Sequence, residues 1–262
     1  MTDGLRNRLC ELLDEKSSAL GTFIALGDPI SVELAGLAGF DFVVIECEHA
    51  GLSLETVQNH LRAARARGLG ALVRVPAGDH GFVQRVLDIG AEGVLVPHIS
   101  DAPAAARAVS DVRFPPDGHR GMYPGSAAAE FGAHGLAGVR ELTQALNRNT
   151  VLAIMIEEAS AAGQIEEIVA TTGVDLVVVG PSDLSASLGV MGDPRDPRLA
   201  EAVGRVFRAC REAGVKFGMP VEHASYKLSA AELRDLGAWF LTAGSDSVFL
   251  LNALRTSVKA HS

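Results

Sequence analysis

The chain has three cysteines in 262 residues, Cys10, Cys47 and Cys210, too scattered for a disulfide framework or a thiolate metal site. They fit reduced thiols and an expected cytoplasmic location. No run approaches the ~18 apolar residues of a membrane span. The N-terminus lacks the apolar core of a secretory signal; its helical spacing of Leu5, Leu9, Leu12 and Leu13 is broken by charges. Positive charge is also short: 23 Lys and Arg against 32 Asp and Glu leave a net charge of -9. The isoelectric point is near 5.4. That balance argues against nucleic acid or an anionic membrane as partner. Lysine is sparse, and the one in a predicted strand, Lys216, begins it rather than ends it. This weighs against Schiff-base chemistry. No Gly-rich dinucleotide loop, P-loop lysine or Gly-x-Ser-x-Gly elbow is present.

What is present is a regular alternation of short apolar runs and amphipathic stretches. The runs at 22–26, 41–45, 71–75, 93–96, 151–156, 176–179, 216–219 and 239–243 predict eight strands. Most are continuously apolar, as expected of parallel strands buried on both faces. Helices are predicted at 29–38, 54–67, 80–89, 102–109, 160–170, 197–213, 225–236 and 246–259. The second helix of that series, 54–67, opens on Ser53 and closes on Gly68 with a basic last turn, which suits its dipole. This order predicts an α/β fold, with residues 1–262 as one (β/α)8 TIM-type barrel domain. One long segment, 113–137, is irregular and rich in Gly, Pro and Ala. It is expected over the strand ends, as a lid.

Ligands of parallel α/β proteins bind at the C-terminal ends of strands. Glu157 directly follows the fifth run, and Asp183 lies in Gly180-Pro181-Ser182-Asp183-Leu184-Ser185 after the sixth. Two carboxylates from different strands suggest a hard divalent metal site; helix capping by Asp183 is the alternative. Glu46, Glu48 and His49 cluster after the second run, where a histidine suits proton transfer. Arg74 ends the third run, facing either a structural carboxylate or an anionic substrate oxygen. His98 follows the fourth run in Val96-Pro97-His98. Asp88 stands near a helix C-terminus, where the dipole disfavours it; it needs a partner, from this subunit or another.

The chain resembles the HpcH/HpaI family of metal-dependent pyruvate aldolases. The resemblance rests on Phe40-Asp41, Glu48-His49-Ala50, Val73-Arg74 with Pro76, and Leu87-Asp88-Ile89-Gly90-Ala91. It continues through Val96-Pro97, Phe114-Pro115-Pro116 with Gly118, Arg120-Gly121, Ile156-Glu157 and the Gly180–Ser185 stretch. It implies a barrel whose last helix is exchanged between subunits of a homo-oligomer, a hexamer or trimer. It implies that Glu157 and Asp183 bind Mg2+, Mn2+ or Co2+, chelated in turn by pyruvate. Arg74 would then stabilise the enolate oxygen, and His49 would transfer protons with Glu46 and Asp88 as supports. The backbone around Ser182 would receive the pyruvate carboxylate, and His98 would meet the distal part of the substrate. The substrates implied are pyruvate or oxaloacetate and an aldehyde.

Three positions depart from the family pattern. Glu46 stands where Asp is usual, Met155 where Gln is frequent, and the segment Gly125-Ser-Ala-Ala-Ala-Glu130 lacks an arginine. Val96-Pro97-His98 is similar to macrophomate-synthase-type members, which decarboxylate oxaloacetate and use the enolate to form a carbon–carbon bond. The expected activity is cleavage or formation of 4-hydroxy-2-oxo acids. The alternatives are an oxaloacetate decarboxylase or synthase, and a non-catalytic barrel used as an assembly subunit.

Overall fold

The computed structural model describes residues 7–133, 135 and 138–262. Leu5 and positions 134, 136 and 137 of the long segment lie outside the described residues. Eight parallel strands close into a barrel in sequence order. They are β1 (Ala19–Ile24), β2 (Phe42–Glu46), β3 (Gly70–Arg74), β4 (Gly93–Val96), β5 (Val151–Ile156), β6 (Leu176–Val179), β7 (Lys216–Pro220) and β8 (Phe240–Ser245). Their side chains are buried almost throughout, on the inner face and on the face that meets the helices.

Helices connect the strands and run back along the outside. They are α1 (Arg8–Glu15), α2 (Ile30–Ala38), α3 (Leu54–Arg67), α4 (His80–Asp88), α5 (Ala102–Val112) and α6 (Val139–Asn149). The rest are α7 (Ala159–Gly163), α8 (Ile165–Val169), α9 (Pro181–Ser187), α10 (Pro197–Ala213), α11 (Ala230–Asp235) and α12 (Asp246–His261). The predicted bounds of α3 and α10 hold to the residue. In α3 the Ser53 hydroxyl accepts the Thr56 N–H at 3.2 Å, and Gly68 ends the helix at φ +67°. The helix predicted at 160–170 is two short helices, α7 and α8, broken where Gln164 leaves helical geometry at φ -131°. The one predicted at 225–236 begins only at Ala230, where Ser229 and Glu232 form a capping box.

α1 plugs the N-terminal end of the barrel. Leu9 and Leu12 pack into the barrel interior with Phe42, Leu72, Leu95 and Trp239. Each buried leucine contributes roughly 1.5–3 kcal/mol. Glu92 fastens the plug by accepting the Leu9 N–H at 2.9 Å and the Ala71 N–H at 3.3 Å.

The described residues of the long segment meet the chain away from the strand mouths: Arg120 and the Ala128 N–H both bond Asp88, at the end of α4. Arg113 donates to the carbonyls of Asn147 at 2.8 Å and Gly173 at 3.2 Å, and pairs with Asp175 at 3.0 Å. Those groups precede β5 and β6, so the described part of the segment starts at the opposite end of the barrel. The physical reason is direction: α5 runs antiparallel to the strands and carries the chain down to their starting ends.

α12 behaves unlike the other helices. Val248, Phe249, Leu250, Leu251, Leu254 and Val258 on it are exposed, as are Ile30, Leu34 and Leu37 of α2. Between the two helices lies an apolar groove of about 520 Å3 lined by Ile24, Leu26, Leu34, Phe40 and Phe249 among others. Among the described residues no helix is long and apolar enough to cross a membrane.

Candidate active site

Strands β2 to β7 deliver ionisable side chains at or just past their C-terminal ends. Glu46 is the last residue of β2 and Arg74 the last of β3, and the two are register partners. The Arg74 Nε donates to Glu46 Oε2 at 2.6 Å, and a terminal guanidinium nitrogen contacts the same oxygen. The other oxygen of Glu46 accepts the backbone N–H groups of Glu48 at 2.8 Å and His49 at 2.9 Å. Glu46 is therefore a buried anion whose charge and lone pairs are both satisfied. Its support of His49 runs through the backbone, and no contact to the imidazole is needed.

The rest of the Arg74 guanidinium looks into the mouth. It lies 5.2 Å from the Phe23 ring centre, and its Nη1 is 3.5 Å from Glu48 and 3.9 Å from the Met155 sulfur. Glu48 is nearly buried and central. The Nε2 of His49 is 3.8 Å from it and the Nε2 of His98 3.6 Å. Burial pushes the Glu48 carboxyl above its usual range, against the pull of Arg74 and the two histidines.

Glu157, one residue past β5, is 2% exposed. Its Oε1 accepts the His98 backbone N–H at 2.7 Å, with the His98 Nδ1 at 3.5 Å. His98 reaches that position with φ +53°, an unusual backbone for a histidine. Gly180 faces the other oxygen; a Cβ there would sit 2.7 Å from Glu157 Oε2. Burial raises the Glu157 carboxyl, helped by the nearby Glu48 and Asp183 carboxylates and opposed by His98. Asp183 is exposed in the first turn of α9, next to Ser182.

A buried carboxylate repelled by two others is a site that a cation would relieve. Among the described residues, no group of three or more His, Cys, Asp or Glu is arranged to hold a metal. The carboxylates whose charges act on Glu157 at this point of the mouth are Glu48 and Asp183, and carboxylate oxygens are the donor type that a hard divalent ion takes. Cys47 also lies at the mouth, but burial pushes its thiol up to about 12, which removes it as a nucleophile.

Asp88 is not part of this cluster. It ends α4, at the starting end of β4, and pairs with Arg120 at 2.9 Å. That corrects its placement beside His49 within one chain. The partner it needs is the buried Arg120, which also covers the Phe114 ring at 4.4 Å. Sequence reasoning missed Phe23 and His223. His223 follows β7 as His98 follows β4, a signal that was available. Its Nε2 lies 3.5 Å from the Ser182 hydroxyl.

A closed barrel with its ionisable groups gathered at the strand mouths is the architecture of a barrel enzyme. The chain belongs to the HpcH/HpaI aldolase/citrate lyase family, whose model matches residues 19–253. A 5-keto-4-deoxy-D-glucarate aldolase from Klebsiella pneumoniae is 36% identical over 229 residues, covering 87% of this chain and 86% of the relative. The crystal structure of an HpcH/HpaI aldolase/citrate lyase family protein from Burkholderia cenocepacia superposes with a TM-score of 0.87. It is 35% identical and covers 97% of this chain and 98% of its own. The solved citrate synthase SbnG is 28% identical with a TM-score of 0.82, covering 93% of each chain. The family and its aldolase members make this chain a carbon–carbon lyase.

Proposed function

We propose that the chain is a metal-dependent aldolase that cleaves and forms 4-hydroxy-2-oxo acids, with pyruvate as the constant product. The observation that supports this most directly is the buried Glu157 carboxylate, cradled by Gly180, bonded by the His98 N–H, and raised by burial and by the nearby Glu48 and Asp183 charges. Glu157 and Asp183 would hold a divalent ion, Mg2+, Mn2+ or Co2+, which when bound polarises the 2-oxo group as a Lewis acid.

The residues of the chain supply the rest. Arg74 presents a fixed positive charge to the oxygen on which negative charge develops; Glu46 holds that guanidinium in one orientation. His49 takes the proton from the 4-hydroxyl. The C3–C4 bond then breaks, an aldehyde leaves, and the electron pair passes into the enolate of pyruvate. Return of a proton to C3 completes pyruvate. The first turn of α9, at Ser182, receives the carboxylate of the 2-oxo acid. His98, on the neighbouring strand, meets the distal part of the substrate.

The kinship with a 5-keto-4-deoxy-D-glucarate aldolase supports a small, polar sugar-acid substrate. The cytoplasm is the proposed location, and residues 1–262 the proposed single domain. The test is exchange of the pyruvate methyl protons with solvent. The expected result is exchange that chelation abolishes and a divalent ion restores. Full exchange and aldol cleavage after exhaustive chelation contradict the proposal. Oxaloacetate decarboxylation without cleavage of any hydroxy-oxo acid favours the decarboxylase instead.

A further inference from the structure

His223 stands at the C-terminal mouth of β7 and takes no part in the reaction described above. The loop that carries it is tightly closed. The Glu222 N–H donates to the Leu228 carbonyl at 2.8 Å, and the Tyr226 N–H to the His223 carbonyl at 3.1 Å. Glu222 pivots at φ +47°, a left-handed backbone that is strained for a non-glycine residue. Loops hold such strain where a side chain must be aimed.

The aim is set by two contacts. The Ser225 N–H donates to His223 Nδ1 at 3.2 Å, so Nδ1 is an acceptor and the neutral ring carries its hydrogen on Nε2. Burial lowers the pKa of His223, which keeps the ring neutral near pH 7. Nε2 in turn faces the Ser182 hydroxyl oxygen at 3.5 Å. The Ser182 carbonyl is itself engaged, accepting the Ser185 hydroxyl at 2.7 Å, so the first turn of α9 is held in place.

A serine hydroxyl has one hydrogen to give. When a neighbour donates to its oxygen, that hydrogen is free to point elsewhere. We propose that His223 is a positioning residue for the carboxylate of the 2-oxo acid. Its Nε2–H donates to Ser182 and turns the Ser182 hydroxyl hydrogen toward the bound carboxylate. The contact is long without substrate and tightens when the carboxylate arrives. This rests on the reading that the first turn of α9 receives that carboxylate.

The experiment is pyruvate proton exchange with Mg2+ or Mn2+, reading KM and kcat separately, on His223→Ala, His223→Gln, His223→Asn and Ser182→Ala. Loss of one neutral hydrogen bond is expected to raise KM for pyruvate in His223→Ala by roughly 3–10-fold, with kcat changed by less than about 2-fold. Gln carries an amide hydrogen at about the reach of Nε2 and is expected to restore KM; Asn reaches only the Nδ1 position and is not. The His223→Ala and Ser182→Ala effects are expected to overlap in the double variant rather than add. Thermal midpoints identify a variant that merely unfolds, and the Gln and Asn pair then decides. An unchanged KM in His223→Ala, a Gln variant as poor as Ala, or additive effects with Ser182→Ala overturn the inference alone. A wild-type protein that exchanges no pyruvate protons overturns the proposed function, and the inference with it.

Discussion

Arg74 and Glu46 are register partners on neighbouring strands, and two nitrogens of Arg74 reach a single oxygen of Glu46. The other Glu46 oxygen holds the backbone of Glu48 and His49. One carboxylate thereby fixes both the Arg74 guanidinium and the segment that carries His49. Arg74→Lys keeps the charge but cannot reproduce the fork. Turnover is expected to fall by roughly 10²-fold or more, the scale of losing one charge-stabilising donor. Circular dichroism and thermal melting should show a folded protein. A variant that instead unfolds, with normal turnover per folded molecule, assigns Arg74 a purely structural role.

The length of the Glu46 side chain lets one carboxylate span β3 and the loop after β2. Glu46→Asp is expected to lose one set of these contacts, the arginine or the two N–H groups. The cost is about 1–3 kcal/mol, that of hydrogen bonds to a charged group. Chemical denaturation checks the stability. A rise in activity, with unchanged stability, would show that the shorter side chain suits this site equally well.

Glu92 gives a pH-dependent stability. Burial raises its carboxyl above the usual value, against the N–H groups of Leu9, Ala71 and Arg8. The folded state therefore binds its proton more tightly than the unfolded state. Between the ordinary and the raised pKa the folded chain holds the extra proton, so stability from this residue falls as pH rises through that window. Glu92→Gln keeps an acceptor and removes the charge. Its advantage over wild type should be absent at low pH and grow across the window. Denaturation curves at several pH values measure it; a difference independent of pH removes Glu92 as the cause.

The apolar face of α12 and the groove beside α2 call for a cover. The family resemblance supplies one: the last helix of a second copy. Leu251, Leu254 and Val258 are exposed on α12, and burying each would contribute roughly 1.5–3 kcal/mol. Light scattering is expected to show a homo-oligomer. Leu254→Asp with Val258→Asp should shift it toward monomers. A stable, soluble monomeric wild type at micromolar concentration contradicts the exchange.

Periodicity carried the barrel, because buried parallel strands leave unbroken apolar runs such as Val151–Ile156. Site residues next to those runs, Glu46, Arg74, His98 and Glu157, were legible for the same reason: strand ends define the mouth. Asp88 closes a helix that runs antiparallel to the strands, so within one chain it lies at their starting ends and away from His49. The path of the 113–133 segment was illegible too. It is fixed by Arg113, whose partners lie 34 or more residues away in sequence. His223 was passed over because the residues from Pro220 to Glu222 separate it from the run at 216–219, whereas His98 stands two residues past its own run.

His49 and His98 separate the aldolase from the decarboxylase. Both flank Glu48, but they differ in attachment. His49 is the more exposed, with 64% of its side chain open to solvent, and its ring lies 3.8 Å from Glu48. It is free to reach a substrate hydroxyl. His98 is tied by its backbone to Glu157, and its ring lies between Glu48, Glu157 and Glu158. A base must remove the 4-hydroxyl proton in aldol cleavage, whereas decarboxylation of oxaloacetate has no such proton to remove. His49→Ala is expected to depress aldol cleavage and pyruvate exchange by roughly 10²–10⁴-fold, the contribution of a general acid–base group. His98→Ala is expected to change aldehyde preference and leave oxaloacetate decarboxylation largely intact. The side-chain loss leaves the His98 N–H available to Glu157, so the site itself should survive. Measuring both variants on pyruvate exchange, oxaloacetate and a panel of aldehydes decides the roles. If His98→Ala abolishes pyruvate exchange while His49→Ala leaves it untouched, the base is His98 and the assignment reverses.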